Sequence, residues 1–328
     1  MIRNKLAFRL TAAMVLSLVM VNFSFAGVSV DKALEGYEAV TEVKGSIKSI
    51  GSDTMNNEMA LWAEGFRVFH PGVKVEVEGK GSSTAPPALI AGTSNFGPMS
   101  RKMKSKEIDE FEKRFGYKPI QLRTSIDMLA VYVHKDNPIA DKGLTLQQVD
   151  AIFSKTRKGG ATKDIVTWGD LGLEGEWKDK PISMYGRNSA SGTYGYFKKN
   201  VLNGGDYRDS VKEQPGSSAV VQGVAADLGG LGYSGIGYKT SGVRAIALGE
   251  ETSKLFDPTV TNCLSGDYPL ARFLVVYVNK KPGKPLDTLT QEFIKYVISK
   301  DGQEIVVKDG YYPLPASVVQ EQTKAISK

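Results

Sequence analysis

A two-domain α/β fold with mainly parallel central sheets is the class this sequence predicts, and three observations predict it. The chain has 328 residues, more than a single hydrophobic core comfortably serves. Strand-like and helix-like segments alternate along most of it, which is the order that βαβ units leave in a sequence. Two strongly apolar strands, at 128–134 and 273–278, bracket a middle block large enough to form its own domain. The first domain is therefore expected to be discontinuous, 27–126 plus 275–328, with 127–274 inserted and 1–26 set apart.

The elements follow in order. A strand at 47–50 leads into a turn, after which Met55, Met59, Trp62, Phe66 and Phe69 recur at spacings of four, three, four and three, the stripe of a helix packed on a sheet. His70-Pro71-Gly72 stops that helix. Val73, Val75 and Val77 alternate with charged residues as a half-buried strand does, and a second turn with Pro86-Pro87 opens a short helix ending at Gly92. A compact corner, Asn95 to Arg101, precedes a charged helix around Ile108, Phe111 and Phe115. Further on we expect a helix at 146–153, a polar glycine-bearing surface stretch at 155–180 and a strand at 182–185. Helices at 194–201 and 217–226 follow. Five glycines within 229–238 suggest a short buried strand between tight turns, and helices at 289–298 and 303–308 finish the chain.

Composition narrows the function classes. With 41% hydrophobic and 24% charged residues this is an ordinary globular composition. Arg3, Lys5 and Arg9 account for three units of the formal net charge of +6, and no basic run with interleaved aromatics occurs, so no nucleic-acid partner is expected. The same three cations precede an apolar run at 12–21 and the small residues Ser24-Phe25-Ala26. That is the pattern of an export signal cleaved near Ala26, with the run too short for a permanent span. No cysteine follows for a lipid anchor, and the lone Cys263 cannot form an internal disulfide. A soluble periplasmic monomer is expected.

Chemistry is suggested by three turns, each between a strand and a helix: Gly51-Ser52-Asp53-Thr54, Gly79-Lys80-Gly81-Ser82-Ser83-Thr84 and Arg187-Asn188-Ser189-Ala190-Ser191-Gly192-Thr193. Helix N-termini carry unpaired N–H groups and the positive end of the peptide dipoles, and hydroxyls there add donors, so such turns suit an oxyanion. Arg187 adds a planar guanidinium able to offer two parallel N–H bonds. Catalysis finds little support: there are two histidines, His70 and His134, with no metal-ligand spacing, no Gly-x-Ser-x-Gly elbow and no P-loop. No cofactor or metal is expected.

These residues, with Asn95-Phe96-Gly97-Pro98-Met99-Ser100 and the glycine-rich 229–238, make the chain resemble the phosphate-binding proteins of high-affinity ABC phosphate importers. The resemblance spans nearly everything after the signal. It implies a type II periplasmic binding protein: two α/β lobes joined by crossover strands that close on inorganic phosphate and deliver it to a membrane permease. It also implies the ligand positions Thr54, Met55, Ser82, Ser100, Arg187, Ser191, Gly192 and Thr193. Two positions depart from the family pattern. Where the best-known members carry an aspartate that accepts a hydrogen bond from protonated phosphate this chain has Ser100, and where a second aspartate braces the arginine it has Ser189. Asp53 is the candidate replacement acceptor, with helix capping as its other reading, and Ser83 and Arg101 are further candidates. The alternatives are an exported phosphate-ester hydrolase or a receptor for another tetrahedral oxyanion, sulfate or molybdate.

Overall fold

The computed structural model describes residues 28–39 and 43–327; the export signal expected at 1–26 lies outside them. Twelve strands occur among the described residues. They are β1 (Gly45–Ile50), β2 (Val73–Glu78), β3 (Phe96–Met99), β4 (Ile120–His134), β5 (Leu144–Thr145), β6 (Ser183–Arg187), β7 (Lys212–Gln214), β8 (Gly230–Gly235), β9 (Val243–Ala245), β10 (Leu248–Glu251), β11 (Lys254–Phe256) and β12 (Ala271–Val278). One sheet runs β2-β1-β3-β12-β4-β8-β6-β7 with β9 beside β4, and a small sheet runs β11-β10-β5.

Within the large sheet, parallel pairing is confined to the wings, where β1 pairs with β2 and β3, and β6 with β7 and β8; in the small sheet β10 and β5 are also parallel. The centre of the large sheet is antiparallel. There β4 and β12 run against each other and against the wing strands they meet. Two long strands threading opposite ways between the wings require this. β4 is 15 residues long, and its Ile120–Met128 half pairs with β12 while Leu129–Val133 pairs with β8, so one strand serves both wings.

Side chains alternate across these strands, as pleating dictates. In β12, Leu274, Val276 and Val278 enter a core with Met55, Met59, Trp62, Phe66 and Phe293, while Val275 and Tyr277 enter another with Leu89, Met99 and Phe111. In β4, Leu129, Val131 and Val133 face a core with Phe153, Trp168 and Phe197, while Ala130 and Tyr132 face Val221 and Val224. The sheet is thus covered on both faces, and this explains the near-continuous apolar runs.

The helix Asn56–Phe69 buries Met59, Trp62 and Phe66. Phe69, at its last position, is 37% exposed and stays at the rim, its ring edge-on to Tyr37 at 5.1 Å. The 155–180 stretch differs from expectation. Ile165, Trp168, Leu173 and Trp177 are buried there, because two short 3-10 turns fold the tryptophans edge-to-face against each other, ring centroids 6.4 Å apart, and into the core. The closing helix Ala316–Ser327, the small sheet and β9 are further elements that no periodicity announced.

Trp62 is fully buried and donates its indole N–H to Gly302 O at 2.8 Å, joining the first helix to the start of Lys300–Lys308. Trp62→Ala is expected to lower the unfolding free energy by about 3–5 kcal/mol, the usual cost of emptying an aromatic core position, in urea denaturation followed by circular dichroism.

Candidate functional site

Backbone geometry brings the three turns to one place. Gly51 and Gly81 allow the close approach of the first two: a Cβ on Gly51 would lie 2.2 Å from Pro98 O, and Gly81 has φ +115°. Gly81 N–H donates to Gly51 O at 2.7 Å and Ser52 N–H to Pro98 O at 2.8 Å, which locks both turns to the corner after β3. From the far wing, β6 delivers Arg187, and Ser191 caps the helix Gly192–Asn200 by accepting from Thr193 N–H and Tyr194 N–H. The third turn reaches the second directly, through Ser83 N–H to Ala190 O at 3.1 Å.

Hydroxyls then interlock. Thr54 Oγ1 lies 2.9 Å from Thr193 Oγ1, Ser82 Oγ 3.2 Å from Ser100 Oγ, and Ser100 Oγ 3.5 Å from Thr193 Oγ1. Gly192 closes the cluster, since a Cβ there would lie 2.3 Å from Ser82 Oγ and 2.6 Å from Ser100 Oγ. Thr54, Ser82, Ser100, Arg187, Ser191 and Thr193 are all buried. Met55 sinks its side chain into the core beneath and leaves only its backbone for the site.

Arg187 is the cluster's cation. Its NH1 donates to Ser217 Oγ at 2.6 Å and lies 3.1 Å from Asp53 Oδ2, its NH2 donates to Pro215 O at 3.2 Å, and its Nε is buried without a partner. Burial pulls the guanidinium below its usual pKa, against the opposing field of Asp53. Asp53 does not cap its helix: its Oδ2 also accepts Ser217 N–H at 2.8 Å, so the carboxylate reaches across to the other wing. Ser189 is exposed, and the bracing of Arg187 falls to Asp53 instead. Arg101 sits apart. It pairs bidentately with Glu107 at 2.7 Å through each nitrogen and donates to Ser83 Oγ at 3.2 Å, so both Arg101 and Ser83 Oγ stand outside the inner ring of hydroxyls.

The arrangement offers hydroxyl protons and a guanidinium to a small oxyanion. No histidine is bonded into it, and among the described residues no group of three or more His, Cys, Asp or Glu could hold a metal. A model of the PBP superfamily domain matches residues 37–301. The phosphate-binding protein PstS of Pseudomonas aeruginosa is 53% identical over 319 residues, covering 97% of this chain and 98% of that protein. The chain belongs to the PstS family of the PBP superfamily. PstS of Staphylococcus aureus is 28% identical over 286 residues, 86% of this chain and 82% of that one. A structure from Clostridium perfringens solved with phosphate bound, described as a phosphate ABC transporter substrate-binding protein, overlays with a TM-score of 0.70 at 25% identity. It covers 83% of this chain and 100% of its own.

For this member of the family, sequence reasoning missed Ser217, Asp127 and Arg272. Arg272 donates to Asp127 Oδ2 through Nε at 2.9 Å and NH2 at 2.6 Å, to Ser100 O at 2.8 Å and to Thr193 Oγ1 at 3.0 Å. Asp127 and Arg272 are charges set directly against apolar strand residues, and that contrast was the available signal; Ser217, at a helix start, carried none. Two tyrosines also hold the first turn: Tyr238 OH donates to Asp53 O and Tyr311 OH to Thr54 O, both at 2.9 Å.

Behind that turn two carboxyls are desolvated. Burial raises Glu58 well above the usual carboxylate range, with the charge of Asp309 adding to it, and burial pushes Asp309 up to about 7. An acid whose folded pKa is raised holds its proton better in the folded state. Its stabilisation is complete below about pH 4, the unfolded value, and is lost as the pH rises through the folded one. Asp309→Asn is therefore expected to narrow the stability gap between pH 5 and pH 8 in urea unfolding; an unchanged gap would contradict the assignment.

Proposed function

We propose that this chain captures inorganic phosphate between two lobes, 27–126 plus 275–328 and 127–274, and hands it to the permease of an ABC importer. One observation carries the reading: a buried arginine and hydroxyls supplied from both wings of the sheet meet in a single cluster. Relatives named for phosphate binding, and a phosphate-bound structure, support it. The ligands we assign are the hydroxyls of Thr54, Ser82, Ser100, Ser191 and Thr193, backbone N–H groups of Met55 and of the Gly192 helix start, and Arg187. A guest touching both lobes stabilises the closed form by its differential affinity for it, and the permease reads that form. Export to the periplasm with cleavage near Ala26, a monomeric state and the absence of catalytic turnover belong to the same proposal. Neither histidine is bonded into the cluster, which disfavours a hydrolase.

Asp53 is the acceptor we assign to a protonated phosphate oxygen. Both oxygens of Asp127 are occupied, by Ile236 N–H and by Arg272, whereas Asp53 uses Oδ2 for its bonds to Arg187 and Ser217. Its Oδ1 retains accepting capacity.

Calorimetric titration of ligand-stripped protein is expected to show tight one-to-one binding of phosphate without release of phosphate from esters. Arg187→Ala should weaken it by about a hundredfold or more, since truncating a buried charge partner commonly costs about 2–5 kcal/mol. Equal binding by the variant would remove Arg187 from the site.

Ser100→Asp places a second carboxylate against the anion, which repels fully ionised sulfate more than phosphate with a proton to share. The phosphate-to-sulfate affinity ratio, measured by competition, should rise by about tenfold or more.

A further inference from the structure

Arg272 and Asp127 face each other in register on β12 and β4, the two strands that pass between the wings. The pair is almost wholly enclosed, at 4% and 0% side-chain exposure. Asp127 is saturated by Ile236 N–H and two guanidinium nitrogens. What remains of the guanidinium is shared between two sides of the hydroxyl cluster: NH1 to the Ser100 carbonyl at 2.8 Å and NH2 to Thr193 Oγ1 at 3.0 Å. The Tyr196 ring covers its face at 4.9 Å. Beyond it opens a groove of about 1090 Å³ whose rim includes Lys102, Lys104 and Lys199, so Arg272 forms part of the wall between cluster and groove.

A hydroxyl has one proton and two lone pairs, and a guanidinium donates but cannot accept. Thr193 Oγ1 receives Arg272 on one lone pair; with Thr54 Oγ1, 2.9 Å away, donating to the other, its own proton is left for the centre of the cluster. Two neighbours are set the same way by backbone: Ser82 Oγ receives Ser100 N–H, and Ser191 Oγ receives Thr193 N–H and Tyr194 N–H. Three hydroxyls of the inner ring, those of Thr193, Ser82 and Ser191, are thereby biased towards presenting their protons. Arg272 is the side chain that imposes this on Thr193.

We propose that Arg272 is a positioning and specificity-determining residue of the oxyanion site: it fixes Thr193 as a donor, so that this end of the site takes only an unprotonated oxygen. The inference rests on the phosphate reading above and deepens it. A fully ionised tetrahedral dianion suits such a ring, and phosphate with one proton fits by turning that proton to Asp53. Phosphate with two protons has no acceptor for the second, so affinity should fall steeply as the pH drops through the second ionisation of phosphate.

The test compares wild type with Arg272→Met combined with Asp127→Asn, which removes the guanidinium without leaving a buried unpaired carboxylate. Phosphate and sulfate affinities are measured by calorimetry from pH 5.5 to 8.5. Freed from Arg272, Thr193 can rotate and accept. Sulfate affinity should fall by about tenfold to a hundredfold, the range for one lost charge-assisted contact, while phosphate falls less, so their ratio rises and the phosphate pH profile flattens. Arg272→Lys keeps the charge against Asp127, and hence the fold, but puts its donors on one nitrogen where the guanidinium spreads them over three that reach Asp127, Ser100 O and Thr193; it should move the ratio and the profile the same way by a smaller factor. Equal losses for both anions with an unchanged pH slope in these variants would reduce Arg272 to a structural pair and overturn the inference. Wild-type protein that binds neither anion would instead overturn the phosphate reading itself.

Discussion

A guanidinium buried away from water must be matched by charge and hydrogen bonds, and that constraint on Arg187 organises the rest of the site. The arginine comes from β6 in one wing, whereas Asp53 comes from the turn after β1 in the other. Ser217 completes the match from the first residue of Ser217–Ala226, using its hydroxyl towards Arg187 and its N–H towards Asp53. The pair is satisfied only where the two wings meet. Breaking a buried pair leaves an uncompensated charge, which costs far more than the pair contributes when intact, so the contact fixes the relation between wings more than it adds stability. Leaving Nε unpaired keeps part of the guanidinium's donor capacity for a guest.

The sheet supplies the frame for that meeting. Because β4 and β12 are shared, the carboxyl ends of β1 and β2 in one wing and of β6 in the other open towards the same region, and each hands its chain to a helical turn there. In open α/β sheets this is where ligands bind. The second ion pair sits on the shared strands themselves, so the charges that shape the cluster are anchored to the part of the molecule common to both wings. Glycines finish the approach: no side chain fits at Gly51 or Gly192 without displacing a neighbour.

Much of this was legible in the sequence because it rests on local rules. The apolar stripe at Met59, Trp62 and Phe66, the valine alternation of β2 and the glycine-bounded β8 all follow from periodicity and turn chemistry. The three turns were legible for the same reason, since caps and glycines are local signals. Long-range pairing was not. That Asp53 leaves its own helix to meet Arg187, 134 positions on, depends on which wing lies opposite, and no spacing encodes it. The apolar runs at 128–134 and 273–278 were visible, yet Asp127 and Arg272, one position before each, were passed over because a charge at a strand edge ordinarily marks solvent. Tryptophans 168 and 177 were hidden in a polar stretch for the converse reason: two large rings bury a segment whose average is hydrophilic.

A serine at position 100, where the family resemblance implies a carboxylate, gains its meaning from these long-range pairs. A carboxylate at that corner would sit beside the Ser100 carbonyl and hydroxyl ring that Arg272 already feeds with protons, and it would compete with Asp127 for the same guanidinium. With serine there, Arg272 belongs wholly to Asp127, Ser100 O and Thr193, and the remaining carboxylate at the cluster is Asp53 on the far side, held by Arg187 and Ser217. On the assignment proposed above, acceptor capacity lies at the first turn and donor capacity opposite it, so an anion with a single proton would have one preferred orientation. A protein with its acceptor at the corner would seat the same anion turned the other way, and the two solutions differ in which ion pair pins the ligand's proton rather than in the fold that carries them.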